Sequence, residues 1–438
     1  MSLLRGRLIN RDFARLWYGQ AVSTVGDFIF ETTLVLWVAT VLAKDRPWAP
    51  AAVSGILFAF GLAVLTAGPV AGVLVDRWDR MRTMLRTEVV RGLLVGVLGV
   101  LSFLPAGALP VWLWLVLIYA VTFGVALCGQ FFIPARLAIL ARIVPGEADR
   151  ARAAGIEQAT FAIAAIAGPP LAAPLLFGFG VQWALWLNVG SYAVSYLAIR
   201  SMSVPVGARV SAPPGTGLAG LWSEFAAGLR YFASNRVLVV LLVLTVICQL
   251  ATGALNALDV FFVTDNLHTD ADLYGLLSMA GGIGVIVGAL SAGWLVGRLG
   301  ARAVTVWSLL ATGLLIIGYA RQSDFAVALV LLAALLIPVG MINTAVSPMM
   351  LAAAPEEYLG RVVGVISSLS QLASMLSVVV AGWLASTVLR GFDGTVAGVH
   401  FGAIDTIFAA GGVLILLAFG YAVVALHPVP PEVPVEAA

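Results

Sequence analysis

The chain has 438 residues, 61% of them hydrophobic and only 11% charged, with a formal net charge of +2 and a mean hydropathy of +1.04. A soluble domain carries about 25% charged residues, so water cannot be the solvent for most of this surface, and the lipid bilayer is the expected partner. The near-neutral balance without a basic tract argues against nucleic acid, and the two cysteines, Cys128 and Cys248, lie in apolar runs that make neither a disulfide framework nor a metal site.

The N-terminal stretch MSLLRGRLINRDFARLW is basic, as the start of a signal peptide is. The apolar run that follows is too long for one, is interrupted by Asp27 and Glu31, and lacks a small-residue cleavage site, so it reads as a retained first helix. A bilayer core about 30 Å thick needs roughly 20 apolar helical residues per crossing. Segments of that kind lie at about 13–43, 51–75, 84–104, 110–132, 152–176 and 181–201, and again at about 237–263, 273–296, 303–320, 325–350, 361–389 and 401–426. Runs of this length exclude barrel strands. The expected fold class is an all-α integral membrane protein with twelve transmembrane helices in two six-helix halves, 1–202 and 237–426. A cytoplasmic linker at 203–236 separates the halves, and a disordered tail covers 427–438.

In helix 1, Gln20, Ser23, Asp27 and Glu31 are spaced i, i+3, i+7 and i+11, which places them on one helical face. Asp27 and Glu31 are one turn apart near the bilayer midplane, where a carboxylate is costly and marks a functional site by default. Two carboxylates a turn apart resist being ionised together in a low dielectric, the property needed by a proton carrier that also attracts a cationic substrate. Two other readings stand beside this one: an ion pair between Asp27 and Arg91 of helix 3, and a Glu31 close to the outer surface. Arg91 itself reads either as a gating or proton-coupling group, or as an arginine snorkelling inward beside Glu88.

The link between helices 2 and 3 reads GVLVDRWDRMRTM. Gly72 permits close helix approach, while Asp76 sits at a helix C-terminus, where negative charge is unfavourable and wants an external partner. With the N-terminus placed in the cytoplasm, inner segments hold 19 basic residues, among them Arg77, Arg80, Arg82 and Arg298. Outer loops hold four: Lys44, Arg46, Arg321 and Arg390. The imbalance orients both termini inside. In the linker, VPVGARVSAPPGTG is Pro/Gly-rich, and Leu218, Leu221, Trp222, Phe225, Leu229 and Phe232 then recur at the spacing of a helix lying on the inner membrane surface. The halves echo each other: Gly72, Leu74, Val75 and Arg77 return as Gly293, Leu295, Val296 and Arg298. Likewise Pro145, Glu147, Arg152 and Gly155 return as Pro355, Glu357, Arg361 and Gly364.

The loop after helix 2 resembles the signature loop of the major facilitator superfamily, G-x-x-x-D-R-x-G-R, with Asp79 where the usual pattern has glycine and Gly297 where the second copy would carry its aspartate. The resemblance implies that Gly72, Asp76, Arg77 and Arg80, with Gly293 and Arg298, form an inner gate latched across to the start of helix 11. FARLWYGQAVSTVGD, FFIPARLAILARIVP and PEEYLGRVVG are similar to the drug- and macrolide-efflux branch. Helix 5 offers Gly155, Ala164, Gly168, Pro169, Ala172 and Ala173 at the spacing of the exporters' G-x8-G-x3-G-P-x2-G-G motif, three glycines having become alanines. That motif accompanies antiport rather than uptake; without the resemblance it reads as small-residue packing with a proline bend. Related exporters also carry a coupling arginine in helix 4, which has no internal arginine here.

Further polar residues in apolar runs are Gln130, Gln158, Asn188, Gln249, Asn256, Asn343 and Gln371, each able to line a cavity or bond a neighbouring helix. Asp259 and Asp405 read as solvated helix ends; Trp37, Trp112 and Trp114 as an interfacial belt; and Phe28, Phe30, Phe123, Trp186 and Phe261 as cavity wall or core. No nucleotide-binding loop, nucleophile constellation or metal-ligand cluster is present, so no enzyme, cofactor or metal is expected. The expectation is a monomeric multi-pass protein of the cell membrane that exports a hydrophobic, cationic small molecule in exchange for protons. The rival expectation is uptake or facilitated passage of a siderophore, lysolipid or metabolite.

Overall fold

The computed structural model describes residues 9–105, 107–144, 146–203, 235–353, 356–392, 394–396 and 399–426. The surface helix expected within 218–232 and the tail at 427–438 lie outside the described residues. The described residues form α1 (Arg11–Trp37), α2 (Ala49–Arg77), α3 (Arg80–Leu101), α4 (Val111–Ile143), α5 (Glu147–Ala173) and α6 (Val181–Arg200). They continue with α7 (Arg236–Phe261), α8 (Tyr274–Leu299), α9 (Ala301–Ala320), α10 (Phe325–Ala353), α11 (Glu356–Trp383) and α12 (Ala403–Ala425). A two-stranded hairpin, Gly394–Val396 against Val399–Phe401, stands between α11 and α12.

Ten of these helices are long and apolar enough to cross a bilayer. The other two are α3 and α6. α3 is rich in charge, with Arg86, Glu88 and Arg91 in its middle, and α6 carries Gln182, Asn188, Ser191, Tyr192 and Ser195. Glu88 and Arg91 meet Ser195 and Tyr192 of α6 inside the protein, which is why neither helix looks like a free-standing span.

The chain starts its two sets of helices the same way. Asn10 caps α1 by accepting from the Phe13 N–H at 2.8 Å, and its amide donates to the Ile143 carbonyl at the end of α4 at 2.6 Å. Asn235 caps α7 by accepting from the Val237 N–H at 3.0 Å and donates to the Ala353 carbonyl at the end of α10 at 2.9 Å. One asparagine thus satisfies orphan groups at two helix ends at once. A second correspondence lies at the opposite ends: α1, α5, α7 and α11 each continue into a π-helical stretch, at Val38–Leu42, Pro174–Phe179, Phe262–Asn266 and Leu384–Val388.

Within the first six helices, α1 packs on α5 and α6, α3 on α4 and α6, and α2 on α4. In the last six, α7 packs on α11 and α12, α8 on α10, and α9 on α10 and α12. α8 and α10 approach most closely: a Cβ on Gly284, Gly288 or Gly340 would overlap a backbone carbonyl of the facing helix, so small residues let the backbones touch. The main contacts between the two sets are α2 with α11 and α5 with α8.

Those contacts cluster away from the end that carries the chain termini. There Gly275 lies against Pro169 and Pro170, Gly382 lies against Ser54 and Pro50, and the Ala51 N–H donates to Ser386 Oγ at 3.1 Å. The buried apolar core is continuous across both sets of helices on that side. At the terminus end it separates into two clusters. One contains Phe13, Leu16, Val75, Met84 and Ile139, and the other Leu238, Val362 and Val365. Gly72, Gly155, Gly293, Gly297 and Gly364, all towards this end, have no neighbouring atom within 4 Å of a Cβ position. The helices are therefore sealed at the far end and parted at the terminus end.

Two expectations about helix ends are corrected. Asp405 is only 4% exposed and pairs with Arg321 at 3.2 Å, so it is a buried ion-pair partner rather than a solvated end. Trp37 and Trp114 are buried and meet edge-on, with centroids 5.1 Å apart; only Trp112 is exposed as a belt residue would be.

Candidate functional site

Two glycines decide where the polar face of α1 goes. A Cβ on Gly19 would stand 2.7 Å from Ala198 Cβ, and one on Gly26 would stand 2.7 Å from Asn188 Oδ1. Seven residues apart, they lie on one side of α1 and let α6 approach until the polar residues of both helices interlock.

Asp27, close to the middle of the 32-residue run Arg11–Leu42, accepts a hydrogen bond from the Tyr192 hydroxyl at 2.5 Å. Tyr192 is held in turn by Asn188, whose amide donates to its hydroxyl at 3.4 Å and whose Oδ1 accepts from Ser191 Oγ at 3.0 Å. About two turns towards the terminus end, Gln20 donates to Ser195 Oγ at 2.8 Å and to Glu88 Oε1 at 3.4 Å, and Ser195 Oγ donates to Glu88 Oε1 at 2.7 Å. Glu88 and Tyr192 are each 1% exposed, and Asn188 and Ser195 are fully buried. The result is a polar seam of α1, α3 and α6 side chains through the apolar interior of the first six helices. A seam of this kind is costly unless its members satisfy one another.

Arg91 enters the seam from α3. Its Nε donates to the Val125 carbonyl at 3.3 Å, and Gly129 opposite leaves the space its guanidinium fills. The guanidinium carbon lies 5.5 Å from the Tyr192 ring centre and 5.7 Å from that of Phe132, within cation–π range. Arg91 makes no ion pair within 4.0 Å among the described residues, so the direct Asp27–Arg91 bridge is not formed. Tyr192 stands between them, its ring on the cation and its hydroxyl on the carboxylate.

Of the helix 1 face formed by Gln20, Ser23, Asp27 and Glu31, Gln20 and Asp27 bond to α6, where Asn188 also lies, and Arg91 reaches Asp27 through Tyr192. Glu31, one turn further along α1, is exposed and has no hydrogen bond or ion pair among the described residues. Glu88 does not stand out in sequence, because it lies among the charges that open α3. On α6 only Asn188 stands out in sequence, although 188, 191, 192 and 195 repeat at helical spacing on one face.

The helix 5 residues divide between two roles. Gly168 takes Phe28 of α1 against its backbone, and Pro169 and Pro170 meet Gly275 of α8 at the far-end seal. Gly155, at the parted end, touches nothing. The gating-motif residues also lie at the parted end. Asp76 pairs locally with Arg80 at 3.3 Å, Arg77 is exposed, Gly72 and Gly293 face open space, and Arg298 stacks on Trp294 at 4.1 Å. The side chains at 356–361, where a latch partner is expected, lie outside the described residues. Asp79, standing where the usual signature has glycine, caps α3 by accepting from the Arg82 N–H at 2.9 Å.

In the last six helices Asp259 is not the solvated group its sequence position implied: it accepts from the Tyr319 hydroxyl at 3.1 Å, and Tyr319 is fully buried. Of the aromatic residues, Phe30 and Phe261 are buried in the core, while Phe28 packs edge-on against Phe161 at 5.3 Å. At the far end a cavity of about 1650 Å³ is lined by Lys44, Arg46, Arg321 and Arg390, the four basic residues that the sequence assigns to outer loops, together with Asp265 and Asp270. No group of acidic, histidine and cysteine side chains among the described residues could hold a metal ion.

The sequence profile of a family described as transmembrane secretion effector matches residues 6–387. The macrolide efflux protein A of Streptococcus pyogenes is 24% identical over 381 residues, covering 86% of this chain and 90% of that protein. The multidrug efflux pump Tap of Mycolicibacterium fortuitum is 27% identical over 336 residues, covering 74% and 78%. Among solved structures, a bacterial homologue of the iron transporter ferroportin in an inward-facing state superposes with a TM-score of 0.70 at 16% identity, over 95% of this chain and 98% of that one. At that identity the likeness concerns the fold alone.

Proposed function

Because the chain belongs to the transmembrane secretion effector family of the major facilitator superfamily, we propose that this transporter is a proton-coupled exporter of hydrophobic, cationic small molecules. In this reading twelve helices cross the cell membrane in two six-helix halves, 1–202 and 237–426, with 203–236 as cytoplasmic linker and both termini in the cytoplasm. The halves rock about a midplane cavity, and the conformation described is the one open to the cytoplasm. The molecule acts as a monomer, with a small-molecule substrate and protons as its partners.

One observation carries the coupling: a mid-membrane carboxylate, Asp27, held by a tyrosine hydroxyl rather than by an ion pair. A permanent cationic partner would hold Asp27 in one charge state, whereas a hydroxyl lets it exchange a proton or a cation at modest cost. The direction rests on the exporter-like helix 5 motif with Gly155, Gly168 and Pro169 and on relatives named for efflux. Pro169 and Pro170 close against Gly275, so in this reading α5 is a wall that must part for substrate to pass.

The test is an accumulation assay in cells with and without the protein, over a panel of macrolides, lipophilic amines, siderophores and lysolipids, with an uncoupler arm. Lower retention of a lipophilic amine or macrolide in expressing cells, abolished by the uncoupler, is expected. Higher retention of any panel compound would establish uptake instead.

A further inference from the structure

A second feature of the first six helices faces the lipid rather than the centre. Between α3 and α6, on the perimeter, runs a groove of about 630 Å³, within the roughly 300–1,000 Å³ of small-molecule sites. Its walls are almost wholly apolar, with Val97 and Trp186 at its rim and Tyr192 along its side. Val97 is 56% exposed, so the groove opens outward to the bilayer. Gly92 and Gly96 also line it, and they are not there to bring the helices together: a Cβ on either would find its nearest α6 atom only at 3.9 Å. They leave room instead.

Glu88 is the one acidic residue lining this groove. Its Oε1 takes the bonds from Ser195 and Gln20, while its Oε2 is buried and has no hydrogen-bond partner. A buried acceptor left unpaired costs free energy, more so when it belongs to a carboxylate. Arg91, one turn along α3, does not fill the gap; its bond runs to the Val125 carbonyl and its charge lies over rings, outside the groove. The terminal torsion of a glutamate is broad, so the carboxylate can turn to present Oε2 at the cost of the Ser195 and Gln20 bonds that Oε1 now accepts.

We propose that the α3–α6 groove is a membrane-facing loading site for lipophilic amines. The hydrocarbon body lies along Gly92, Gly96 and Trp186, and the ammonium group donates to Glu88. An amphiphilic cation dissolved in the leaflet thus meets the one anionic group in an otherwise apolar slot. Loss of the Gln20–Glu88 contact on binding would pass the event to α1, the helix that carries Asp27. The inference rests on the export reading for the fate of the bound compound, and not for its binding.

The experiment uses the full chain in phosphatidylcholine nanodiscs with no gradient. The probes are a diazirine-bearing hexadecylamine and the matched hexadecanol, with labelled peptides identified by mass spectrometry. The amine is expected to label the α3 and α6 peptides about tenfold more than the alcohol, the factor a charge-assisted hydrogen bond supplies. Glu88→Gln should remove that preference. Gly96→Leu fills the groove, its Cβ clearing the nearest α6 atom at 3.9 Å, and should remove labelling of these peptides altogether. Equal labelling by amine and alcohol would mean that the groove holds only lipid chains. A preference that survives Glu88→Gln, or labelling that survives Gly96→Leu, would likewise overturn the proposal. The accumulation panel reads the other claim separately: export without groove labelling removes the loading site and keeps the exporter, and labelling without export does the reverse.

Discussion

Replacing Asp27 by asparagine should reduce pH-gradient-driven export in proteoliposomes to the level of protein-free vesicles. The amide keeps an oxygen that accepts the Tyr192 hydroxyl now 2.5 Å away, so the hydrogen bond survives and folding stability should change by no more than about 1 kcal/mol. What asparagine cannot do is take up and release a proton, and coupling depends on that exchange. Tyr192→Phe makes the complementary change, keeping the carboxylate and removing its donor. The lost bond to a charged group corresponds to a rate reduction of about tenfold, leaving measurable transport. Undiminished gradient-driven export by Asp27→Asn would remove this residue from the coupling mechanism. Loss of export in Tyr192→Phe equal to that in Asp27→Asn would show the seam to be structural rather than a carrier.

The second large effect is expected at the far-end seal. Gly275 opens α8 directly against the backbone of Pro169 and Pro170, and any Cβ there would overlap the Pro169 carbonyl. Proline backbones have little freedom to retreat, so Gly275→Leu should wedge α5 and α8 apart. Overpacking of this kind costs about 1–3 kcal/mol, enough to shift a two-state equilibrium by about 5- to 150-fold. Spin labels at Lys44→Cys and Asp272→Cys, which line the far-end cavity, should report a longer distance in Gly275→Leu than in the parent. Gly318→Ala, whose Cβ meets no atom within 4 Å, should leave it unchanged. An unaltered distance in correctly folded Gly275→Leu would contradict the placement of the gate.

The helices were legible because apolar runs of bilayer length admit few other structures. The limit of that signal lies at α3 and α6, whose charges and polar groups make sense only against each other. The α1 face was legible from its spacing: Gln20, Ser23 and Asp27 repeat on a helical period, and Gly19 and Gly26 repeat beside them. Its partners were not, since nothing local says that α6 rather than a central cavity faces Asp27. Asp259 and Asp405 were misread for the same reason. An acidic residue near a predicted helix end looks solvated until Tyr319 or Arg321 arrives from elsewhere in the chain. Glu88 was masked by four arginines in its own helix, and its burial depends on Ser195, more than a hundred residues away. Asp79 shows the converse, where a departure from a family pattern has a local cause in the cap of α3.

Proton-coupled export requires that protons move the other way as the compound crosses. In inverted membrane vesicles that respiration has acidified, the compound identified by the accumulation panel is added while a pH-sensitive dye reports the lumen. The expected result is a prompt recovery of quenched fluorescence as protons leave and the compound enters, absent from vesicles without the protein. Entry of the compound into the lumen with no movement of protons would contradict it.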